Sequence, residues 1–205
     1  MTASFENAYN SEVLHMVAYS LTGQTDMRLL TPEHAEELYR LTEDNRPFLR
    51  QWFSWVDAVH SAYDSRAYID DLNRRHRVGD AYGYGLFDGS ALVGVMELSG
   101  VNSPDKSGRI GYWLSESGHG KGRMTRACDA LTDYAFERCG LNRVAIQVAA
   151  DNSRGRAVPE RLGYTLEGTL RQAKLLNDRF VDMAVYSILA AEWAEMDRMS
   201  KNVGY

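Results

Sequence analysis

The chain has 205 residues, of which 44% are apolar, 25% charged and 11% aromatic, fractions that are typical of one folded domain rather than a disordered or fibrous chain. Its 28 acidic and 23 basic residues give a formal net charge of −5, the wrong sign for a protein that coats nucleic acid. No apolar run reaches the roughly 18 residues of a membrane span, and the first residues lack a signal-peptide pattern. We therefore expect a cytoplasmic protein that contacts neither nucleic acid nor membrane.

Cysteine and histidine spacing argues against a disulfide framework and against a metal site. Cys128 and Cys139 are the two cysteines, and on one predicted helix they would lie about 16 Å apart at a rise of ~1.5 Å per residue. We therefore predict free thiols. The histidines never fall at metal-ligand spacing with one another or with a cysteine, so no metal is expected.

The beginning of the chain divides into an extension and the start of the main domain. Residues 1–23 show weak periodicity and are predicted to form an N-terminal extension that adds an edge strand or drapes over the core. Residues 24–197 are predicted to form the domain itself. Its first elements are a short strand over 26–30 and a helix for which Thr31 is the cap, with Pro32 at the first helical position.

Aromatic residues and a second helix follow. The aromatic cluster either packs or binds a ligand, and it comprises Phe48, Trp52, Phe53 and Trp55. The next helix is predicted to start from a cap at Asp64-Ser65. It ends in the basic run of residues 74–77, which we interpret as a solvated helix end.

A change of hydrophobic period from 3.6 to two then indicates strands. Residues 82–87 and 92–98 are predicted to pair as a hairpin around a turn that begins at Asp88. Residues 109–114 form a third strand. The glycine-rich loop of residues 117–122 comes directly after that strand.

An amphipathic helix starts at the end of this loop, with an apolar face formed by Met124, Ala127, Cys128, Leu131, Tyr134 and Ala135. The strand over 144–148 must run parallel to the strand before the helix, because a whole helix connects them. A short helix over 153–161 and strands from Tyr164 and over 180–189 complete the pattern. We predict an α/β (α+β) fold with a mixed, mainly antiparallel central sheet, helices on both faces and one β-loop-α-β unit.

The glycine-rich loop has the composition of an anion-binding site. A turn between a strand and a helix presents backbone N–H groups at the positive end of the helix dipole, which suits a phosphate. Gly118, Gly120 and Gly122 permit a close approach, and Lys121 and Arg123 add positive charge. The alternative is a tight turn that needs only left-handed backbone. The GxGxG spacing disfavours both a Walker A motif and a dinucleotide fingerprint.

Several short motifs occur in order along residues 24–193, namely Ile110-Gly111-Tyr112-Trp113-Leu114, Gly120-Lys121-Gly122, Asn142-Arg143-Val144, Asp151-Asn152-Ser153, Arg161-Leu162-Gly163-Tyr164 and Glu167-Gly168. Together they resemble the GNAT superfamily of acetyl-CoA-dependent N-acetyltransferases. More narrowly, they are similar to the RimJ/RimL-type group, which acetylates the N-termini of ribosomal proteins. The segment over 177–182 resembles the final hairpin of that group.

The resemblance implies a GNAT-like fold in which acetyl-CoA is the co-substrate. It places the pyrophosphate on the amides of residues 118–124 and the pantetheine arm along 112–114. It also implies that the strand over 109–114 separates from the strand over 144–150, so that the thioester enters the gap. The cofactor-binding residues expected on this basis are Trp113, Leu114, Gly118, His119, Gly120, Lys121, Gly122, Arg123, Met124 and Asn152.

Three positions depart from the family pattern. Ser117 takes the first position of the usual Gln/Arg-x-x-Gly-x-Gly/Ala motif. The tyrosine that many relatives use as general acid falls at Pro159, and the serine found nearby in some RimL-like enzymes falls at Gly155. Because neither of these residues can protonate a thiolate, the resemblance supplies no general acid.

The acceptor amine must be neutral before it attacks a thioester. An α-amino group with a pKa of about 7.7 to 8.0 needs only roughly 1 to 1.4 kcal/mol for deprotonation at pH 7, against about 4.6 kcal/mol for a lysine. Glu97, late on the second hairpin strand, is the preferred catalytic base, acting directly or through water. Glu116 would lie near the pyrophosphate, His119 lies inside the loop, and the ring of Tyr112 is expected to pack.

These features predict an acetyltransferase whose acceptor is a primary amine, in the first place the N-terminal α-amino group of a protein such as a ribosomal protein. A small amine is the alternative acceptor: a polyamine, an aminoglycoside or an amino-acid-like antibiotic. The same features also allow a non-catalytic CoA-binding sensor or a plain nucleotide-binding domain. The resemblance also allows a homodimer.

Overall fold

One eight-stranded sheet organises the fold. The computed structural model describes residues 18–21 and 25–202. The strands are β1 (Ala18–Leu21), β2 (Thr25–Leu29), β3 (Ala81–Asp88), β4 (Ala91–Ser99), β5 (Ser107–Leu114), β6 (Arg143–Ala149), β7 (Thr165–Leu176) and β8 (Arg179–Leu189). Their order in the sheet is β1-β2-β3-β4-β5-β6-β8-β7, and every pair is antiparallel except β5 with β6. The mixed, mainly antiparallel sheet expected from the sequence is confirmed.

Helices connect the strands and cover the sheet. They are α1 (Ala35–Asp44), α2 (Arg46–Leu49), α3 (Ala62–Arg77), α4 (Arg123–Glu137), α5 (Ser153–Arg161) and α6 (Ala190–Asn202). Single 3-10 turns occur at Pro32–His34, Ser54–Ala58 and Glu116–Gly118. Across the described residues, no helix combines the length and the apolar character needed to cross a membrane.

The sheet has a hydrophobic core on each face, because successive side chains of a strand point to opposite sides. On β4, Val95 packs in the core that contains Leu38 of α1 and Ile69 of α3. Its neighbour Met96 packs in the core that contains Leu131 of α4. Each fully buried side chain of this kind stabilises the fold by ~1.5 to 3 kcal/mol. The helices therefore lie on both faces, as predicted.

The single parallel pair of strands separates along its length. Pairing of β5 with β6 joins Ser107–Arg109 to Arg143–Ala145 and stops there. Beyond this point β5 continues to Leu114 and β6 to Ala149 without pairing to each other. This opening in the sheet is the separation that the family resemblance implies, and both β5 and the loop before α4 border it.

The start of α3 differs from the prediction. The predicted cap at Asp64-Ser65 is wrong, because the helix begins at Ala62 with Ser61 as its N-cap. The carboxylate of Asp64 accepts hydrogen bonds from the Ser61 amide (2.9 Å) and hydroxyl (3.0 Å). Asp64 is thus the third helical residue of a capping box, and such a residue stabilises the helix from within the first turn.

The edge-strand alternative for the N-terminal extension holds for its described part, since β1 pairs antiparallel with β2. Residues 1–17 and 22–24 lie outside the described residues, and the domain boundary at 24 remains a prediction. Both cysteines are free thiols, as expected, with Cys128 buried and Cys139 partly buried.

Candidate active site

The glycine-rich loop joins β5 to α4 at the opening in the sheet. A 3-10 turn over Glu116–Gly118 ends β5, and Gly120 then adopts a φ of 82°. Gly122 is the N-cap of α4 with a φ of 66°, a left-handed conformation that strains residues other than glycine. The loop thereby directs the first turn of α4 toward the space beside β5.

Backbone amides at the start of α4 are available as hydrogen-bond donors. The first intrahelical bond of α4 is donated by Arg126, so the amides of residues 123–125 have no acceptor inside the helix. The amides of Gly118 and His119 donate instead to carbonyl groups of the preceding turn, at 3.0 and 3.4 Å. Within the described residues, the run of amides without a backbone acceptor therefore begins at Gly120 rather than at Gly118.

Arg123, predicted to contact the cofactor, has a buried side chain that holds the loop in place. Its guanidinium pairs with the carboxylate of Asp88 and donates to the Thr25 hydroxyl at 3.1 Å. It also donates to the carbonyl of Gly118 at 3.3 Å. Because the side chain is only 4% exposed, any contact of Arg123 with a ligand must come from its backbone amide.

Two further cations flank the free amides. The side chain of Lys121 is 63% exposed, and its ammonium lies 3.7 Å from the carboxylate of Asp88. Arg126 donates from Nη2 to the carbonyl of Lys121 at 2.9 Å. Its Nε is buried without a hydrogen-bond partner in the described part of the chain. The loop thus combines free amides, a helix N-terminus and positive charge, which suits a diphosphate.

A cavity of about 400 Å³, here called the cofactor cavity, lies between this loop, β5 and α5. Five of the predicted cofactor residues line it: Trp113, Leu114, His119, Met124 and Asn152. The other five, Gly118, Gly120, Lys121, Gly122 and Arg123, follow along the loop and are not part of its wall. Each of the ten residues lies in the loop or in the cavity wall, and its contact with the cofactor stays a prediction.

Asn152 contributes to the cavity mainly as a helix cap. Its side-chain oxygen accepts a hydrogen bond from the Gly155 amide at 2.9 Å, as the N-cap of α5. The hydroxyl of Tyr112 donates to the Gly155 carbonyl at 2.8 Å. The first turn of α5 is therefore fixed to β5 across the opening in the sheet.

His119 enters the cofactor cavity from the loop. Its ring packs edge-on against Phe48, with the centroids 5.3 Å apart. Burial, followed by the nearby charge of Arg154, lowers the pKa of His119 below its ordinary value. The imidazole is therefore neutral at pH 7, and its Nε2 is buried without a hydrogen-bond partner in the described part of the chain.

A second cavity of about 530 Å³, here called the acceptor cavity, lies on the other side of β5, between the sheet, α1 and α3. Phe53, Tyr112 and Trp113 line both cavities. The two cavities therefore share this wall, which lies beside the opening between β5 and β6. Desolvation by burial holds the pKa of Tyr112 well above its usual range, so the phenol stays protonated.

Glu97, the predicted catalytic base, lines the acceptor cavity. Its Oε1 accepts a hydrogen bond from Arg75 at 2.9 Å, and the same guanidinium binds Asp80 at 2.9 Å. The Glu97 side chain is 23% exposed. Arg75 belongs to the basic run at the end of α3, so the prediction of a solvated helix end is wrong for this residue.

Comparison with known proteins agrees with the resemblance that the sequence motifs show. Residues 25–165 match the family model for the acetyltransferase (GNAT) domain. The chain is 37% identical over 168 residues to "Putative ribosomal N-acetyltransferase YdaF" of Bacillus subtilis, covering 82% of this chain and 92% of the relative. It is 32% identical over 162 residues to the ribosomal-protein-serine acetyltransferase of Escherichia coli, covering 79% and 90%. A solved RimL, a ribosomal L7/L12 alpha-N-protein acetyltransferase in complex with coenzyme A, superposes with a TM-score of 0.80 at 28% identity, covering 84% of this chain and 97% of the other.

The chain belongs to the GNAT acetyltransferase family. It is an acetyl-CoA-dependent N-acetyltransferase, as the ordered motifs predicted, and its fold is GNAT-like. Groups of three or more histidine, cysteine or acidic side chains that could hold a metal do not occur in the described part of the chain.

The structure explains one departure from the GNAT pattern. A Cβ added at Gly155 would lie 2.7 Å from a methyl group of Val148 and 3.0 Å from the Asn152 side chain. A serine therefore does not fit at this position without movement of its neighbours. The Tyr112 hydroxyl reaches this turn from β5 and donates to the Gly155 carbonyl.

Sequence reasoning missed two residues that shape this GNAT site. Arg75 fixes the predicted base, and Asp88 anchors the loop through Arg123. Neither pairing has a local signal, because 22 residues separate Arg75 from Glu97 and 35 separate Asp88 from Arg123. The basic run at the end of α3, to which Arg75 belongs, is the sequence feature that could have indicated this residue.

Proposed function

We propose that this N-acetyltransferase transfers the acetyl group to the N-terminal α-amino group of a protein or peptide. The observation that carries the proposal is the wall, at Tyr112 and Trp113, that the cofactor and acceptor cavities share. An amine that enters from the acceptor cavity reaches the opening in the sheet, where a thioester lying along β5 would end. The names of the two bacterial relatives support a ribosomal protein as the acceptor.

We propose that the diphosphate of acetyl-CoA binds the amides that begin at Gly120, with Lys121 and Arg126 compensating its charge. The free amides and the buried, unpartnered Nε of Arg126 support this placement. The pantetheine arm would follow β5 past Leu114 and Trp113 to the shared wall. The thioester carbonyl then lies within reach of an amine from the other side of the sheet.

Glu97 is the proposed base. The carboxylate takes the proton that the acceptor ammonium must lose, either directly or through a water molecule. The neutral nitrogen forms a bond to the thioester carbon, and the carbon–sulfur bond breaks as coenzyme A leaves as a thiolate. The second proton that the nitrogen loses on becoming an amide passes through water to the thiolate sulfur, which leaves coenzyme A as the free thiol. Arg75 positions Glu97 in the acceptor cavity. An α-amino group suits this weak base, because its deprotonation at pH 7 needs only roughly 1 to 1.4 kcal/mol.

Release of free thiol from acetyl-CoA in the presence of peptides, polyamines and aminoglycosides tests the acceptor class. We expect peptides with a free N-terminus to be acetylated, and peptides with a blocked N-terminus to give no thiol. Acetylation of polyamines or aminoglycosides alone would contradict the proposal in favour of a small-amine enzyme. Tight acetyl-CoA binding without any acetylated acceptor would identify a CoA-binding sensor.

The base is tested with Glu97→Gln and a matched control. We expect kcat to fall by about 10²- to 10⁴-fold, which is the usual contribution of a general base. Glu167→Gln is the control, since it also removes an ion-paired carboxylate, in this case from Arg143, and Glu167 lines neither cavity. Equal activity of the two variants would show that Glu97 is not the base.

A further inference from the structure

We infer that the acceptor cavity receives the first side chain of the acceptor, and that this side chain is large and apolar, such as leucine, methionine or phenylalanine. The inference rests on the proposed function, since it requires an α-amino acceptor. It goes further by assigning the residue class that the enzyme selects.

The acceptor cavity lies next to the cofactor cavity. The acceptor cavity shares Phe53, Tyr112 and Trp113 with the cofactor cavity. An α-amino nitrogen placed at this wall, next to the thioester, leaves its own side chain one carbon away. That side chain then points into the acceptor cavity, while the rest of the peptide continues outward.

The acceptor cavity is large enough for a bulky side chain. A volume of about 530 Å³ lies in the range of roughly 300 to 1,000 Å³ that holds drug-sized ligands. A leucine or phenylalanine side chain contacts more of the wall of this space than a serine or alanine side chain does. Each additional methylene placed in a hydrophobic pocket improves kcat/KM by about 10- to 200-fold, so selection favours the larger side chain.

Two polar side chains of the wall are already bound to other protein groups. The Thr42 hydroxyl donates to the carbonyl of Leu38 at 2.9 Å. The Asp64 carboxylate caps α3. Glu97, the proposed base, would bind the reacting nitrogen, so Thr42 and Asp64 offer little to the further amino groups of a polyamine or an aminoglycoside.

The aromatic cluster supplies the apolar surface. The ring of Trp55 lies 5.9 Å from that of Phe53 and 5.9 Å from that of Trp113, measured between centroids. All three rings line the acceptor cavity, and 38% of Trp55 is exposed. Such a row of rings offers contact area to an aliphatic or aromatic side chain. The aromatic cluster of the sequence thus belongs partly to the acceptor site.

A peptide series that differs only in its first residue tests the inference. The kcat/KM for acetylation is measured by thiol release with leucine, phenylalanine, alanine or serine at the N-terminus. We expect leucine and phenylalanine to exceed alanine and serine by at least about tenfold. Acetylation that favours alanine or serine would overturn the inference and leave the proposed function intact, whereas silence on every peptide would overturn both.

A cavity-filling variant provides the second measurement. Gly111 lines the acceptor cavity, and a Cβ placed there meets no atom within 4 Å. Gly111→Val therefore adds bulk to the cavity, and its Cβ displaces no neighbour. We expect the leucine-to-alanine ratio of kcat/KM to fall by about tenfold or more. Ala91→Val, at the exposed start of β4, is the matched control, and an unchanged ratio in Gly111→Val would contradict the inference.

Discussion

Arg123 is expected to be the main anchor of the glycine-rich loop, and its replacement by methionine tests this directly. The guanidinium joins the hairpin turn at Asp88, the hydroxyl of Thr25 on β2 and the carbonyl of Gly118. Methionine keeps much of the buried volume but removes all three interactions. The variant therefore separates the loss of charge and hydrogen bonding from the loss of packing.

The expected destabilisation follows from burial. Breaking a buried ion pair by removing one partner destabilises a protein by roughly 3 to 5 kcal/mol. Asp88 is 32% exposed, and Lys121 lies 3.7 Å from its carboxylate, so water and this lysine compensate part of the loss. We therefore expect Arg123→Met to lower the free energy of unfolding by about 3 kcal/mol, which corresponds to a fall in Tm of about 6 to 12 °C for a domain of this size.

Urea unfolding monitored by circular dichroism measures this change, with Arg40→Met as the control. The ion pair of Arg40 with Glu36 is exposed, with side-chain exposures of 73% and 58%. Such pairs contribute little, so the control is expected to stay within about 0.5 kcal/mol of the wild type. A loss below about 1 kcal/mol in Arg123→Met would refute the assignment of Arg123 as the anchor.

Three further predictions concern the loop and its surroundings. Gly122→Val places a β-branched residue at a φ of 66°, with its Cβ 2.9 Å from the Arg126 guanidinium. The resulting strain of about 1 to 2 kcal/mol at the proposed diphosphate site should weaken acetyl-CoA binding by about tenfold in calorimetry. Gly140→Val, at a φ of 63° beyond the other end of α4, is the control and should leave this binding unchanged. Tyr112→Phe leaves the Gly155 carbonyl without its donor and should lower stability by about 1 kcal/mol in thermal unfolding; no change would show that this bond is dispensable. Folding lowers the pKa of His119 below 6.5, so the stability that comes from the neutral imidazole is complete above pH 6.5 and is lost as the pH falls. His119→Asn should therefore lose less stability than the wild type between pH 7 and pH 5. An equal loss in both proteins would contradict the lowered pKa of His119.

The strand, loop and helix that form the cofactor site could be predicted from the sequence because their signals are local. Glycines at 120 and 122 mark left-handed backbone, and the apolar face that begins at Met124 marks the helix. The motif order added the expectation that β5 and β6 separate, which the short ladder of three residue pairs confirms.

The long-range pairings could not be predicted in this way. Arg123 has the sequence position of a first-turn base at a phosphate site, yet β2 and the β3–β4 turn bury its side chain. Arg75 has the sequence position of a solvated helix end, yet α3 lies on the sheet where Glu97 emerges. Both outcomes depend on how helices pack against the sheet, and periodicity along the chain carries no information about that packing.

Calorimetric titration of the folded protein with acetyl-CoA tests most directly whether the amides at the start of α4 hold a diphosphate. We expect a saturable heat at one site per chain, which coenzyme A competes away and NAD does not. We also expect Gly122→Val to weaken this binding. Absence of heat from a protein shown to be folded by circular dichroism would contradict this role of the amides.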